Sequence, residues 1–193
     1  MKTPPNKTAF ESAPSKANNI TKPAVYLAGK IGKNDWREEL IPNLPGHLWR
    51  DGPIQTPTYS YVGPFFVNCD HECTDGPNTH GAASVENSRE EHFTRAEIVD
   101  NNNAALRSAN LIFAYISETD AFGTFCEIGY ALALGEKRIV LCFALGVAAE
   151  DFWYAAQQCR AVHISVRPCC LKQILADEIS SMMAMPRRRR APC

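Results

Sequence analysis

The sequence predicts an α/β fold of three layers, in which helices cover both faces of a five-stranded parallel sheet. Two observations predict it: short apolar blocks alternate with stretches of helical pattern, and the blocks are apolar at every position rather than at every second one. Residues 111–116 and 139–143 are such blocks, and residues 120–135 between them have the pattern of a turn followed by a single helix. These three segments therefore form one predicted βαβ unit.

The other elements continue the alternation in chain order. Strands are predicted at residues 24–28, 58–62 and 161–166, and helices at 35–40 (with Asn34 as N-cap), 89–109, 148–158 and 171–183. The simplest arrangement is the flavodoxin-like, or Rossmann-like, strand order 2-1-3-4-5. This order places the first strand beside the third, so the loops that begin at Gly29 and Ser117 open onto one ligand crevice.

Composition indicates one domain and a small-molecule partner. With 193 residues, 45% of them hydrophobic, the chain can bury the core of a single domain, predicted at residues 23–184. Residues 1–22 are predicted to be a disordered leader, and residues 185–193 a basic tail. Because 20 Lys and Arg residues balance 21 Asp and Glu residues, no specific nucleic-acid partner is expected.

The sequence also carries a prediction of location. No apolar run approaches the ~20 residues of a membrane span, and the N-terminal residues hold no apolar signal core. Eight cysteines in such a chain are typical of reduced thiols. We therefore expect a cytoplasmic protein with no membrane partner, in which Cys126 and Cys142 are ordinary core residues.

Glu127 lies in the first turn of the predicted helix of the βαβ unit and has two interpretations. In the first, Thr124 and Glu127 form a capping box, in which each side chain accepts a hydrogen bond from the other residue's backbone N–H. In the second, Glu127 is catalytic, because it follows the carboxyl end of a strand, where parallel sheets bind ligands. The positive end of the helix dipole favours an ionised carboxylate there, which suits a nucleophile.

Two other segments offer candidate ligand contacts. Gly29 allows the backbone to approach a ligand closely, and Lys30 or Lys33 in the same loop can meet a phosphate; otherwise these lysines are solvated surface residues. On the long helix, Asp100 precedes three asparagines, which are poor helix formers. These asparagines have either a binding role or an exposed position.

Residues 68–88 form a segment too long for a simple connection, predicted to be an active-site lid or a partly disordered loop. It contains four residues of types that bind zinc, Cys69, His71, Cys73 and His80. Their spacing is not one of the standard zinc spacings. The alternative is that His71, Asp70 or His80 lines a substrate pocket and that no metal is bound.

One motif carries a family resemblance. The run Gly123-Thr124-Phe125-Cys126-Glu127-Ile128-Gly129-Tyr130-Ala131, with Tyr26-Leu27-Ala28-Gly29 at the end of the first strand, resembles the nucleoside 2-deoxyribosyltransferase family over about residues 24–145. The resemblance implies that Glu127 attacks the anomeric carbon of a nucleoside and that no metal is needed. It also implies that Tyr26, Gly29, Gly123 and Thr124 bind substrate, and that a neighbouring subunit closes each active site.

The chain departs from the family's pattern at two positions. Where the family has an aspartate on the long helix that binds the ribose or assists at the base, this chain has Asn102 or Asn103. Asp100 supplies that carboxylate only if the helix has a different register. The family's second carboxylate stands one residue nearer to the glycine of the motif than Asp120 does. Both departures leave the sugar preference open.

We therefore predict a cofactor-independent enzyme that cleaves the N-glycosidic bond of a nucleoside or nucleoside 5′-monophosphate through a covalent glycosyl–Glu127 intermediate. Lys30 and Lys33 favour the monophosphate, and the polar lid favours water over a second base as acceptor. The proton for the departing base comes from Asp120, Asp100 or a lid histidine. A homo-oligomer is expected, with three aromatic residues available for its interface, Trp49, Phe65 and Phe66.

Two other functions remain open. The same fold also suits a non-catalytic nucleotide-binding or sensor module, which a measurement of base release distinguishes from an enzyme. A zinc-dependent hydrolase would use the cluster at residues 69–80, and metal analysis distinguishes it.

Overall fold

The computed structural model describes residues 22–31, 35–41, 44, 47, 49–65, 85–86, 92–93 and 95–184. Its strands are β1 (Ala24–Gly29), β2 (Ile54–Gln55), β3 (Ser60–Gly63), β4 (Val85–Glu86), β5 (His92–Phe93), β6 (Leu111–Ile116), β7 (Arg138–Ala144) and β8 (Ala161–Val166). Its α-helices are α1 (Arg95–Ser108), α2 (Phe122–Leu134), α3 (Trp153–Ala156) and α4 (Pro168–Ala184). Three 3₁₀ helices span Trp36–Glu39, Trp49–Asp51 and Ala149–Phe152 within this part of the chain.

The central sheet has the order β2-β3-β1-β6-β7-β8, and its last five strands are parallel to one another. These five strands are the predicted ones in the predicted order 2-1-3-4-5, so the three-layer α/β fold is confirmed. The sheet differs from the prediction by β2, which adds a sixth, antiparallel strand at the edge. Two residues are too few to show a strand pattern in the sequence.

Both faces of the sheet are covered, as the continuous apolar blocks predicted. Alternate residues of β1, β6 and β7 pack on one side against the inner face of α4, which presents Leu171, Leu175 and Ile179. The other residues of the same strands pack against α1 and α2, through Leu106, Ile128 and other side chains. β6 is fully enclosed, because all six of its residues are buried. The carboxyl ends of β1 and β6, where the ligand crevice is predicted, therefore adjoin a closely packed core.

Three helix predictions need correction. The short helix after β1 is a 3₁₀ helix capped by Asp35, whose side chain accepts a hydrogen bond from the backbone N–H of Arg37, and Asn34 lies outside the described residues. The long helix begins at Arg95 rather than at residue 89, because His92–Phe93 pairs with Val85–Glu86 as a small hairpin. The predicted helix at 148–158 is divided into a 3₁₀ turn and the short α3.

The cysteine predictions have a divided outcome. Cys142 is buried in β7, as expected. Cys126 is exposed, because it lies on the outer side of α2 while Ile128 and Ala131 form the buried side. No helix in the described ranges is both long and apolar enough to cross a membrane.

Candidate active site

Glu127 lies on the buried side of α2. Thr124 precedes it by three residues and Ala131 follows it by four, so the three side chains share one face of the helix, and both neighbours are buried. The helix begins at Phe122, which places Glu127 in the second turn rather than the first. The capping-box interpretation is wrong, because the N-cap is Ala121 and no side chain caps it. At the other end, Gly135 closes the helix with a positive φ of 64°, which favours glycine.

The Glu127 carboxylate is held from two other elements. The hydroxyl of Tyr26 on β1 donates to Oε1 at 2.5 Å, and Nδ2 of Asn102 on α1 lies 3.4 Å from the same oxygen. The contact from Tyr26 is short and involves a carboxyl group, so it is the stronger of the two. Both contacts end on Oε1. Among the described residues, no hydrogen-bond donor contacts Oε2, which leaves this oxygen available to a ligand.

Tyr26 owes its position to the sheet. Its side chain is fully buried, and it points to the side of the sheet that α1 and α2 cover. Its partner on β3 is Gly63, which has a φ of 139° that favours glycine. A Cβ atom at Gly63 would lie 3.5 Å from the Tyr26 ring. The backbone conformation therefore favours glycine at position 63, and the Tyr26 ring packs beside it at an ordinary contact distance.

The asparagines of α1 are not equivalent. Asn102 lies three and four residues before the buried Ala105 and Leu106, so it shares their face and points toward α2. Its Oδ1 atom is buried and has no hydrogen-bond partner within the described part of the chain. Asn103 is half-buried one position further along, and Asp100 is exposed on the opposite side of the helix. The structure therefore brings Asn102, and not Asp100, to Glu127.

Burial dominates the electrostatics of this group. It raises the pKa of Glu127 to about 7, although the hydrogen bond from Tyr26 and the positive charge of Arg37 both lower it. Burial raises the pKa of Tyr26 well above its ordinary range, and the adjacent Glu127 raises it further. The expectation that the helix dipole keeps Glu127 ionised is therefore corrected: near neutral pH, protonated and ionised forms coexist.

A second cluster lies where the loops after β1 and β6 meet. Nζ of Lys30 contacts Glu118 at 2.7 Å and the two carboxylate oxygens of Asp120 at 2.9 and 3.1 Å. The hydrogen bond from Lys30 lowers the pKa of Asp120, and those to Glu118 and Asp120 raise the pKa of Lys30. All three side chains are more than a third exposed. Lys33, the other predicted phosphate contact, lies outside the described residues.

The two candidate glycines have different surroundings. A Cβ atom at Gly29 would lie 2.9 Å from the carbonyl oxygen of Tyr115 and 3.1 Å from Nη2 of Arg37, so close packing of the protein itself requires glycine there. Gly123 is exposed at the start of α2, and nothing lies within 4 Å of the position of its Cβ. Its predicted contact with substrate remains a prediction.

Within the described ranges, no group of three or more His, Cys, Asp or Glu side chains is placed to hold a metal ion. Of the predicted lid at residues 68–88, the structure describes Val85–Glu86 as strand β4, while His71 and the Cys/His cluster at residues 69–80 lie outside the described ranges. The choice between a zinc site and a pocket lining is therefore still a prediction. The basic tail and residues 1–21 lie outside the described residues as well.

Comparison with known proteins addresses the family. A search of curated proteins found no match to the chain. A family model described as nucleoside 2-deoxyribosyltransferase like matches residues 22–144, which is more than half of the 193 residues. The match spans β1, α1, β6, α2 and β7, and it therefore includes Tyr26, Asn102 and Glu127. The chain belongs to the nucleoside 2-deoxyribosyltransferase-like family.

Proposed function

We propose that the protein cleaves the N-glycosidic bond of a nucleoside, with Glu127 as the nucleophile, and passes the sugar to water or to a second nucleobase. The observation that carries the proposal is the Glu127 carboxylate itself. It is half-buried between α2, α1 and β1, one oxygen is held by Tyr26, and the other has no described partner. A carboxylate whose Oε1 atom is held in this way can attack a carbon atom next to Oε2.

The chemistry proceeds in two displacements. Oε2 of ionised Glu127 bonds to C1′ while the C1′–N bond breaks and its electron pair leaves with the base. Water or a second base then attacks C1′ from the opposite side and releases the carboxylate, so the configuration at C1′ is retained overall. Tyr26 donates to Oε1 in the resting site, which fixes the rotation of the carboxylate before each attack.

The departing base needs a proton or strong hydrogen bonds. Asp120 is a poor proton donor at neutral pH, because the hydrogen bond from Lys30 lowers the pKa of its carboxyl group. Asp100 is exposed on the far side of α1. In this proposal the proton therefore comes from solvent or from the lid, where His71 remains the candidate, and Asp120 serves to hold Lys30.

The charges near the crevice support an uncharged nucleoside as the substrate. Lys30, the described cation predicted to meet a phosphate, contacts both Glu118 and Asp120, so two carboxylates offset its charge. A 5′-phosphate at this position would meet a net negative cluster. We therefore favour the nucleoside over the monophosphate that the lysines alone had indicated.

The polar groups beside Glu127 indicate which molecule accepts the sugar. Oδ1 of Asn102 is a buried acceptor without a described partner, and it suits a water molecule or a sugar hydroxyl. The predicted lid is rich in polar side chains as well. We propose water as the acceptor when no second base is present. Chromatography with and without a free base tests this: a new nucleoside formed at the expense of free sugar contradicts hydrolysis as the main reaction.

Base release from deoxynucleosides and ribonucleosides tests the activity. The Glu127→Gln variant should lose roughly three orders of magnitude or more in turnover, since an amide cannot replace the nucleophile. Glu150→Gln, the same change at an exposed glutamate of the turn before α3, should retain the wild-type rate. Tight nucleoside binding without any base release would support the sensor module instead.

The same assay tests the substrate class. The value of kcat/KM should be higher for a nucleoside than for its 5′-monophosphate, and Lys30→Met should not lower it for the nucleoside by more than a few-fold, about what an exposed ion pair contributes. A preference for the monophosphate that disappears in Lys30→Met would return Lys30 to the role of a phosphate ligand.

A further inference from the structure

Arg37 is a buried cation for which the proposed chemistry has no role. It lies in the 3₁₀ helix Trp36–Glu39 and is fully buried, with 0% of its surface exposed. Taking a guanidinium group out of water is unfavourable unless charge and hydrogen bonds compensate it. The partners of Arg37 therefore indicate why the fold keeps it there.

The guanidinium group is bound on three sides. Nε donates to the carbonyl oxygen of Leu27 at 2.8 Å, and Nη2 donates to that of Gly29 at 2.6 Å. Nη1 donates to both carboxylate oxygens of Asp35 at 2.9 Å, and the Trp36 ring lies 4.6 Å from the guanidinium carbon. Such a planar fork of donors can match two carbonyl groups and a carboxylate at once, which an ammonium group cannot do.

The two carbonyl groups belong to the end of β1 that lacks a strand on one side. β3 ends at Gly63, opposite Tyr26, whereas the pairing of β1 with β6 continues as far as Gly29. Beyond Tyr26, the carbonyl groups on the β3 side need other donors. Arg37 supplies them, so its guanidinium group fixes the last three residues of β1 immediately after Tyr26.

Arg37 also acts on Glu127 through its charge. It lowers the pKa of Glu127, against the effect of burial, and it lowers the pKa of Tyr26. Of the groups in contact with Glu127, Tyr26 is uncharged because burial raises the pKa of its phenol, and Asn102 from α1 carries no charge. Tyr61, which packs on the other face of the sheet, is uncharged for the same reason as Tyr26. Among the described residues, Arg37 is thus the cation that acts on this carboxylate.

We propose that Arg37 is a positioning residue of the Glu127 site: it holds the end of β1, and with it the Tyr26 hydroxyl, and it favours the anionic form of Glu127 that attacks the sugar. This inference rests on the proposed function for its catalytic consequence. Its electrostatic part concerns the resting protein and can be measured without turnover.

Two variants separate the positioning role of Arg37 from its electrostatic role. Arg37→Lys keeps the positive charge and loses the fork of donors, so base release should fall by about tenfold or more while the titration of Glu127 stays near that of wild type. The double variant Asp35→Asn/Arg37→Met removes both charges and avoids an unpaired buried carboxylate. In it, the pH at which Glu127 is half ionised should rise by roughly one unit.

The titration is followed by NMR of ¹³C-labelled glutamate carboxyl groups, with the Glu127 signal assigned by its loss in Glu127→Gln. Arg138→Lys is the matched control, because Arg138 is a half-buried arginine paired with Glu178 at the opposite end of the sheet. It should leave both readouts unchanged. If no nucleoside is turned over even by wild type, the proposed function fails while the titration still tests Arg37.

Three results would overturn all or part of the proposal. An unchanged titration midpoint in the folded double variant would remove the electrostatic role. Wild-type base release in Arg37→Lys would remove the positioning role. If the double variant does not fold, Arg37→Lys still tests the positioning role. A loss of rate in Arg37→Lys equal to that in Arg138→Lys would likewise reduce Arg37 to a stabilising residue.

Discussion

At the scale of single residues, burial of Glu127 is the feature with the largest consequences. The folded protein holds its pKa at about 7, against 4.5 for a free glutamate side chain. Because the folded state binds this proton more tightly, ionising Glu127 opposes folding. A group that is enclosed at such a cost is typical of active sites, where function and stability conflict.

The first prediction concerns stability as a function of pH. As pH rises from 4.5 to 7, the folded state loses stability through Glu127, by a total on the order of 3 kcal/mol, which is the rise in pKa expressed as free energy. Glu127→Gln removes this ionisation, so the variant should melt at a higher temperature than wild type at pH 8, and the difference should shrink toward pH 5. Thermal unfolding at both values measures it. A variant that is less stable than wild type at pH 8 would contradict the burial of an ionisable carboxyl group.

The second prediction concerns Tyr26. Tyr26→Phe removes the hydrogen bond to Glu127, so base release should fall by roughly ten- to a hundredfold. The same bond lowers the pKa of Glu127, so the acidic limb of the pH–rate profile should move to higher pH. Tyr130→Phe is the control, because the Tyr130 hydroxyl lies further along α2 and accepts a hydrogen bond from the exposed Arg107 of α1. Equal profiles for the two variants would show that the Tyr26 hydroxyl does not act on Glu127.

At the scale of elements, the end of β1 and the helix α2 impose different demands on glycine. Gly29 lies against Tyr115 and Arg37 with no room for a side chain, whereas Gly129, inside α2, has nothing within 4 Å of its Cβ position. Packing therefore requires glycine at position 29. At position 129, no contact in the described part of the protein requires it.

The third prediction uses this contrast. Gly29→Ala should destabilise the fold by about 1–3 kcal/mol, because its Cβ would lie 2.9 Å from a backbone oxygen that cannot move freely. Gly129→Ala should stabilise it by up to about 1 kcal/mol, since alanine is the better helix former. Denaturant unfolding of both variants checks the signs. If Gly29→Ala is neutral, the close packing at the end of β1 is not as described.

The sequence was sufficient to predict the elements that carry the site, but not the contacts between them. Continuous apolar blocks such as Leu111–Ile116 and residues 139–143 are visible because burial on both faces leaves no polar positions. Their order followed from the usual connections of parallel strands. The partners of Glu127 were beyond such reasoning, since Tyr26 and Asn102 are 101 and 25 residues away from it in the chain.

The errors have local physical causes. Thr124 and Glu127 fit the capping-box pattern, but they lie one turn beyond the start of the helix. The helix begins at Phe122, and its N-cap is Ala121, whose side chain cannot accept a hydrogen bond. The burial of Arg37 was not predicted, because its partners Leu27 and Gly29 depend on where β3 ends beside β1. Two of the aromatic residues expected at an interface pack inside instead, since Phe65 is buried and Trp49 contacts it edge to face.

At the scale of the whole molecule, other aromatic residues are exposed. Phe122 at the start of α2 is 75% exposed, and Trp153 and Tyr154, which contact each other edge to face, are 63% and 68% exposed. Large apolar side chains in such positions often mark contacts between proteins. A homo-oligomer remains our proposal, with the interface assigned to these residues instead of Trp49 and Phe65.

The fourth prediction tests this assignment. In sedimentation experiments the wild type should be larger than a monomer, and a double variant, Trp153→Ser/Tyr154→Ser, should shift it toward the monomer because the exposed aromatic surface is lost. Gln157→Ser, a change at a neighbouring exposed polar residue, should leave the size unchanged. A wild-type monomer with full base-releasing activity would contradict the proposed assembly.

The central claim is that Glu127 forms a bond to the sugar, and the direct measurement is the mass of the protein during turnover. The protein is mixed with a nucleoside whose 2′-fluorine slows the second displacement, then digested and analysed by mass spectrometry. We predict one added sugar, without the base, on the peptide that contains Glu127, and none in Glu127→Gln. Base release by wild type with no adduct on that peptide, together with retained activity in Glu127→Gln, would contradict the account.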